Sequence, residues 1–336
     1  LHYACCHGKK DMAYHLIDTY PSLINSETED GYNVLFCTAL GGNMDIFKTV
    51  FELGDFVQTN LTANKDGNET NRIMHVLPKT GRQQTLLHMS CLGGGIEMVK
   101  YLVETYPEML HEADSDNRTP AHYAACGDNV ALLRYLIDRG SNPYCRTAEE
   151  EVLLHKACIN GQLDMSKYLV ETYPSMVHEV DKWKRTPAHY AAHSRKVVLL
   201  RYLIDNGANA FCTTVWDRTL LHIACINGQL DVVKYLVDTY PNMLHDVDNC
   251  MKTPSYYATH SGNVAILRYL INRGADPWKI ADRGATLLHE ACYQGQLEMT
   301  QYLAETFRKC CICWTVRKHH QLIMLLRAEI SMFYAI

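Results

Sequence analysis

The chain repeats itself every 67 residues. One tetrapeptide, Thr-Leu-Leu-His or its Val-Leu-Leu-His variant, recurs in register at 85–88, 152–155, 219–222 and 286–289. Halfway between these positions lies a related set, Thr-Pro-Ala-His or Thr-Pro-Ser-Tyr, at 119–122, 186–189 and 253–256. The steps alternate between 34 and 33 residues. A fixed period of this size predicts a solenoid, in which each repeat buries its apolar face only against its neighbours.

Nine repeats fit this register, and they alternate between two types. From the third repeat on, odd-numbered repeats carry the Leu-Leu-His form and even-numbered repeats carry the Thr-Pro form. All odd-numbered repeats are called A-type here and all even-numbered repeats B-type. The first repeat is truncated, because His2 already occupies its motif position. The second is divergent around Phe36. The third begins at Thr85 and the ninth at Thr286.

The register also predicts the domain boundaries. Residues 1–307 form the repeat array, with an insertion near 57–80 of about 19 residues beyond the ordinary step. The polar run 64–71 marks its centre and predicts a protruding or disordered finger loop. Residues 308–336 lack the repeat pattern. This apolar and basic tail is interpreted either as a cap with a helix around 322–332 or as a foreign or misread C-terminus.

The repeat pattern resembles the ankyrin repeat, whose first helix carries T-P-L-H-x-A. The A-type example is Thr219-Leu220-Leu221-His222-Ile223-Ala224, and the B-type example is Thr119-Pro120-Ala121-His122-Tyr123-Ala124. The resemblance covers about residues 1–307 and implies an all-α solenoid of helix–turn–helix repeats. Short β-hairpin finger loops connect the repeats in that fold.

Each part of the repeat has a mechanical interpretation. Thr119 can cap the first helix, and Pro120 suits the first helical position. Glycines between the two helices of a repeat predict left-handed turns at Gly94, Gly161, Gly228, Gly262 and Gly295. The usual fingertip glycine is replaced by Asn117, Lys184, Asp217 and Met251. These replacements predict hairpins that are less regular than in a consensus array.

Composition excludes several classes of function. A net charge of −5 with mixed signs favours neither nucleic acid nor an anionic membrane. No window of 18 uncharged apolar residues predicts a transmembrane helix, and no secretory signal is visible. Four of the 14 cysteines recur at one repeat position, which is typical of small core residues. The chain is therefore predicted to be intracellular and cytoplasmic.

Recurring His-x-x-Cys pairs are the strongest candidate for a metal site. A helix places i and i+3 on one face, so two zinc ligands could come from each pair. In ankyrin repeats, however, this histidine bonds to groups around the threonine at the helix start, and we favour that structural role. Cys310, Cys311, Cys313, His319 and His320 form a weaker candidate cluster.

No catalytic motif is found, and most carboxylates fall at helix ends or fingertips, where solvation is the default interpretation. We therefore predict no enzyme activity, cofactor, metal or small-molecule substrate.

A partner-binding surface follows from the resemblance, because first helices and fingers line the concave face of ankyrin arrays. The residues after the motif histidine are then the predicted contacts: Met89, Tyr123, Lys156, Tyr190, Ile223, Tyr257 and Glu290. The three tyrosines could instead pack between adjacent first helices. Trp183 and Trp216 lie at consecutive fingertips, where a tryptophan either folds back onto a neighbour or contacts a partner.

The sequence thus predicts a non-catalytic scaffold that binds a protein partner through the concave groove and fingertips. The alternative is a targeting or regulatory ankyrin arm of a larger protein, such as a channel, kinase or ubiquitin ligase. A metal-binding role and a purely structural spacer are the remaining interpretations.

Overall fold

A computed structural model of the chain describes residues 1–29, 31–54, 56, 58–60 and 74–307. The chain divides into two compact bodies, Leu1–Ala210 and Phe211–Ile336. We call them the amino-terminal and carboxy-terminal bodies. The predicted tail at 308–336 and the centre of the predicted insertion at 64–71 lie outside the described residues.

Paired helices build both bodies. Those of the amino-terminal body are α1 (His2–Cys6), α2 (Lys10–Thr19), α3 (Val34–Gly41), α4 (Met44–Leu53), α5 (Leu86–Gly93), α6 (Ile96–Thr105), α7 (Pro120–Cys126), α8 (Val130–Asp138), α9 (Leu153–Ile159), α10 (Leu163–Thr172), α11 (Pro187–His193) and α12 (Val197–Asp205). Those of the carboxy-terminal body are α13 (Leu220–Ile226), α14 (Leu230–Thr239), α15 (Pro254–His260), α16 (Val264–Asn272), α17 (Leu287–Tyr293) and α18 (Leu297–Thr306). The odd-numbered helix of each pair is the first helix of a repeat.

One short antiparallel strand pair lies between α4 and α5. Strand β1 (Gln58–Asn60) pairs with β2 (Met74–Val76), so that Gln58 stands opposite Val76. Both strands fall inside the predicted insertion at 57–80. Apart from this pair the described residues contain no strand, and the predicted all-α class is confirmed.

The motif histidines of three A-type repeats tie the first helix to its start and to the next finger. His88 Nδ1 accepts a hydrogen bond from the Thr85 backbone N–H at 3.1 Å, and His88 Nε2 bonds to the Arg118 carbonyl at 2.9 Å. His155 repeats this pattern in the amino-terminal body, and His222 does so in the carboxy-terminal body. The predicted structural role of these histidines is confirmed, because both ring nitrogens are used inside the chain.

The remaining local predictions for the helices agree with the structure except at one cysteine. The five predicted turn glycines are left-handed, with φ between 66° and 75°. Helix α10 ends at Thr172, and a short 3-10 helix follows over Pro174–His178 because the proline cannot continue the α-helical bonding. Of the four recurring cysteines predicted to be core residues, Cys91, Cys158 and Cys225 are buried, whereas Cys292 is only half-buried.

Seven five-residue fingers precede the first helices of repeats 3 to 9 and take the numbers of those repeats: 80–84, 114–118, 147–151, 181–185, 214–218, 248–252 and 281–285. In finger 4 the Asp114 N–H donates to the Arg118 carbonyl at 2.9 Å, and the Asn117 N–H donates to the Asp114 carbonyl at 3.0 Å. Finger 8 repeats both bonds between Asp248, Met251 and Lys252.

The prediction of irregular hairpins is therefore wrong. Lys184 and Met251 accept left-handed backbone, with φ of 58° and 56°. The first residue of the finger supports this conformation with its side chain. Asp181 Oδ1, for example, accepts the backbone N–H groups of Trp183 and Arg185 at 2.9 and 2.7 Å.

Candidate functional site

Three buried tyrosines organise the fingers, and they recur every 67 residues. Each tyrosine donates its hydroxyl to the aspartate nine residues earlier, which is the first residue of its own B-type finger. The donor–acceptor pairs are Tyr123 to Asp114 at 2.6 Å, Tyr190 to Asp181 at 2.8 Å and Tyr257 to Asp248 at 2.6 Å. We call each tyrosine–aspartate pair, with the fifth residues of its A-type and B-type fingers, a clasp.

The first clasp joins fingers 3 and 4 with one neutral A-finger residue. Gln84 Nε2 donates to the Tyr123 hydroxyl at 2.6 Å. Arg118 Nε donates to Asp114 at 2.9 Å, and its Nη2 donates to Asp116 at 2.6 Å. Two carboxylates thus surround one guanidinium, and every polar group at the centre of the clasp has a partner.

The second clasp joins fingers 5 and 6 with two carboxylates at one hydroxyl. Tyr190 Oη lies 2.8 Å from Glu151 Oε1 and 2.8 Å from Asp181 Oδ2. Arg185 donates from Nε to Asp181 at 2.6 Å and from Nη2 to Tyr190 Oη at 2.7 Å. Lys156 forms an ion pair with Glu151. Two cations therefore balance two anions inside this clasp.

The third clasp, in the carboxy-terminal body, joins fingers 7 and 8 and is differently charged. Its A-finger residue is Arg218, whose Nε lies 3.6 Å from Asp248 Oδ2. The fifth residue of finger 8 is Lys252, whose Nζ lies 4.7 Å and 5.8 Å from the ring centroids of Tyr256 and Tyr257. Two cations face one carboxylate here.

Burial and hydrogen bonding set the protonation states in the clasps. Burial and the bond to Asp114 raise the pKa of Tyr123 to about 12. Although burial opposes ionisation, hydrogen bonds from Tyr123 and the finger backbone hold the pKa of Asp114 below its ordinary value. The pKa of Asp248 is lowered by the corresponding bonds against the same burial. Four finger carboxylates are buried, so the prediction that they are solvated is wrong for Asp114, Asp181, Glu151 and Asp248.

The other predicted groove residues differ in exposure. Met89 is buried, whereas Lys156 and Ile223 are half-buried. Glu290 is buried and accepts hydrogen bonds from His260 Nδ1 at 2.7 Å and Gln294 Nε2 at 2.9 Å. The role of these residues and the three tyrosines in partner binding stays a prediction. The structure adds that the tyrosine hydroxyls already have partners inside the chain.

The two predicted fingertip tryptophans have different surroundings. The Trp183 ring is half-buried, with Lys182 Nζ and Arg185 Cζ each 4.4 Å from its centroid. The Trp216 ring is 38% exposed, with Arg218 Cζ at 5.4 Å. Trp183 is thus covered by cations of its own finger, and Trp216 keeps more free surface.

Fingertip chemistry also differs between the bodies. In the amino-terminal body, the exposed tips of fingers 4 and 5 carry polar residues such as Asp116 and Glu150. In the carboxy-terminal body Val215 and Met251 join Trp216 as exposed apolar residues, at 41% and 42% exposure. The sequence reasoning missed Val215 and Met251. Their position in the finger register, beside Trp216 and one repeat later, was the available signal.

Within the part of the chain that the structure describes, no group of three or more His, Cys, Asp or Glu side chains is placed to hold a metal ion. No helix in that part is long and apolar enough to cross a membrane.

Stacked helix pairs, capped by Thr and His and joined by hydrogen-bonded fingers, define a repeat protein of the interaction-module class. The family model for ankyrin repeats matches residues 54–147, 128–214, 154–244, 195–281 and 241–313. The chain belongs to the ankyrin-repeat family. Ankyrin repeats are protein-interaction modules, and their fold is typically non-catalytic.

Similar proteins include the ankyrin repeat protein nuc-2 of Neurospora crassa, which is 25% identical over 324 residues, covering 86% of this chain and 29% of that protein. Alpha-latrocrustotoxin-Lt1a of Latrodectus tredecimguttatus is 35% identical over 114 residues, covering 34% of this chain and 8% of that protein. A transient receptor potential cation channel subfamily A member 1 homolog of Caenorhabditis elegans is 27% identical over 198 residues, covering 59% of this chain and 16% of that protein. The chain thus spans less than a third of each of these relatives.

Among solved structures, the human ASB11 ankyrin repeat domain superimposes with a TM-score of 0.54 at 21% sequence identity. The match covers 65% of this chain and 97% of that domain. This likeness concerns the fold.

Proposed function

We propose that the chain is a non-catalytic recognition module that holds a protein partner against its first helices and fingertips. The observation that carries the proposal is the pairing of a fixed finger backbone with exposed apolar fingertips. Trp216 and Met251 project from hairpins that are closed by backbone hydrogen bonds. Apolar surface on a preorganised backbone favours association because little conformational freedom is lost on binding.

Successive fingers are also bonded to each other, which supports a continuous contact surface within each body. The Ser115 N–H donates to the Arg82 carbonyl at 2.9 Å, and the Ala148 N–H donates to the Asp116 carbonyl at 2.8 Å. In the carboxy-terminal body the Asn249 N–H donates to the Trp216 carbonyl at 3.1 Å. Among the predicted contacts, Lys156, Ile223, Trp183 and Trp216 have side-chain surface to offer a partner.

The test is affinity capture from the source cell with the full chain and a fingertip variant, Trp216→Ala with Met251→Ser. A matched control is Trp278→Ala, because Trp278 is 46% exposed but lies in the loop after α16 rather than in a finger. We expect a partner that binds the wild type and the control and is lost from the fingertip variant. A partner retained equally by all three chains would contradict binding through the fingertips.

A second proposal is that this array acts as the targeting or regulatory arm of a longer protein inside the cell. Its support is the length comparison, since the relatives named above extend far beyond the matched region and include a channel homolog. Buried thiols such as Cys158, whose pKa burial raises to about 12, suit a reducing cytoplasm. Sequencing the complete transcript tests this proposal: an open reading frame confined to these repeats would contradict it.

A further inference from the structure

The third clasp contains an unmatched positive charge. In the first clasp, Arg118 bonds to both Asp114 and Asp116. Cys250 occupies the finger position that corresponds to Asp116, so the third clasp lacks that second carboxylate. Asp248 is left to balance Arg218 and Lys252 together, which gives the third clasp a net charge of +1.

The contacts of the two cations agree with this charge count. Within the described residues, Arg218 Nε is buried without a hydrogen-bond partner, and its nearest carboxylate oxygen is at 3.6 Å. Lys252 Nζ forms no ion pair in the same part of the chain, and its contacts are the two tyrosine rings. Within the described residues, neither Asp217 nor Asp282 forms an ion pair with Arg218 or Lys252. Because Nε is enclosed, a partner's carboxylate can approach this guanidinium only through its exposed part, and the Arg218 side chain is 32% exposed.

The sibling clasps indicate which group is missing. At the position of Arg218, the second clasp has Glu151, whose carboxylate accepts from Tyr190 and pairs with Lys156. A carboxylate is therefore the group that this clasp geometry accommodates beside the tyrosine. The guanidinium of Arg218 binds a carboxylate readily because its planar donors match the two oxygens.

The surroundings define the rest of the ligand. Arg218 Cζ lies 5.4 Å from the Trp216 ring centroid, so the cation adjoins the exposed apolar fingertips. Val215 and Met251 extend that apolar surface on fingers 7 and 8. A ligand that fits both features carries an acidic group next to a large apolar one.

We infer that fingers 7 and 8 form a recognition site for an acidic side chain, Asp or Glu, that neighbours an apolar residue in an extended segment of a protein partner. The acid binds at Arg218 and Lys252, and the apolar residue packs on Trp216 and Met251. This site rests on the proposed protein-recognition function and specifies its ligand. Charge-assisted bonds to a partly enclosed guanidinium are strong, and aromatic and arginine residues dominate binding energy at interfaces.

In the experiment, a library of random displayed peptides is selected for binding to the full chain. The affinity of the selected peptides, once synthesised, is measured by fluorescence anisotropy. The test variant is Arg218→Gln with Lys252→Gln; glutamine already occupies the equivalent position as Gln84, so the fold is expected to persist, and circular dichroism verifies this. The control is Lys234→Gln with Arg268→Gln, which removes the same charge from the exposed faces of α14 and α16.

We expect the selected peptides to be enriched in Asp or Glu beside an apolar residue. Their affinity should fall at least about tenfold for the test variant, and equally when the peptide acid is changed to its amide, but not for the control. The inference would be overturned if the selected peptides lacked acidic residues, or if their affinity were unchanged in the test variant. It would also be overturned if only inorganic phosphate displaced the acidic peptides. In those cases the proposed function would still be judged separately by the Trp216→Ala capture experiment.

Discussion

The second and third clasps contain the same tyrosine–aspartate hydrogen bond but differ in charge balance. Around Tyr190 the charges of Glu151, Asp181, Lys156 and Arg185 cancel, and the clasp is complete within the chain. Around Tyr257 the A-finger residue is a cation, and the charges do not cancel. The tyrosine–aspartate bond thus fixes the finger geometry, whereas the fifth finger residues set the charge. Recognition can therefore change at those residues without disturbing the scaffold.

The largest expected difference between the two bodies is in their stability at acidic pH. Burial lowers the pKa of His122 and His155 in the amino-terminal body, and of His222 in the carboxy-terminal body, to about 4. The unfolded chain protonates these rings near pH 6.5, but the folded chain does not. Stability is therefore complete above about pH 6.5 and falls as the pH drops toward 4, by about 3 kcal/mol for each histidine.

The described residues of the amino-terminal body include two such rings, and burial also lowers the pKa of His88 there. We expect this body to lose protection at a higher pH than the carboxy-terminal body. Hydrogen exchange read by mass spectrometry between pH 7 and pH 4, corrected for intrinsic exchange, measures each body separately. Earlier loss of protection in the carboxy-terminal body would contradict this assignment.

Removing the tyrosine hydroxyl should lower the free energy of unfolding more in the second clasp than in the third. Tyr190→Phe leaves Glu151 and Asp181 without their shared donor, and we expect a loss of about 2–3 kcal/mol in the free energy of unfolding. Tyr257→Phe removes one bond to Asp248, so the expected loss is about 1–1.5 kcal/mol. Urea unfolding of both variants tests the difference. Equal losses would mean that the extra carboxylate in the second clasp adds no stability.

Replacing a buried serine by alanine should change stability by a smaller amount, with opposite signs in the two bodies. Ser255 is 1% exposed, and its Oγ lacks a hydrogen-bond partner among the described residues. Ser255→Ala should stabilise the chain by about 1 kcal/mol, since Ala121 and Ala188 fill the same repeat position. Ser90 is equally buried but donates to the Leu86 carbonyl at 2.8 Å, so Ser90→Ala should cost about 0.5–1.5 kcal/mol. Thermal unfolding that gives both variants the same sign would refute this reasoning.

Fingertip backbone strain should give the smallest difference. Met251 and Asn117 have φ of 56° and 57°, and asparagine tolerates this region better than methionine. Met251→Gly should therefore stabilise by about 0.5–1 kcal/mol. Asn117→Gly should cost about 0.5 kcal/mol, because it removes the bond from Asn117 Nδ2 to the Arg146 carbonyl at 2.7 Å. Chemical denaturation measures both. A larger gain from the asparagine variant would show that side-chain contacts, rather than backbone strain, decide stability at these positions.

The sequence predicted the fold because its signals are local. Thr85 and His88 cap the helix that they begin, and Gly228 marks the left-handed turn at its own position. The clasps were missed because they depend on groups brought together by stacking, such as Gln84 and Tyr123, which are 39 residues apart. The aspartate–tyrosine spacing of nine residues, which recurs in repeats 4, 6 and 8, was the available signal.

The regularity of the fingers was also missed. The prediction considered only whether glycine was present at the fingertip. It did not consider that the Asp181 side chain accepts hydrogen bonds from the backbone of its own hairpin and so stabilises left-handed Lys184. Burial of Tyr190 likewise follows from its bond to two carboxylates rather than from its residue type.

The clasps also determine how an array of this kind can change length. Deleting residues 119–185 would join finger 4 to the first helix that carries Tyr190 and restore the nine-residue spacing to Asp114. Deleting 119–151 alone would bring Lys156 to that position and leave the aspartate without a hydroxyl. Gain or loss by recombination is therefore tolerated in steps of two repeats, and the 67-residue block, rather than the single ankyrin repeat, is the heritable module of this chain.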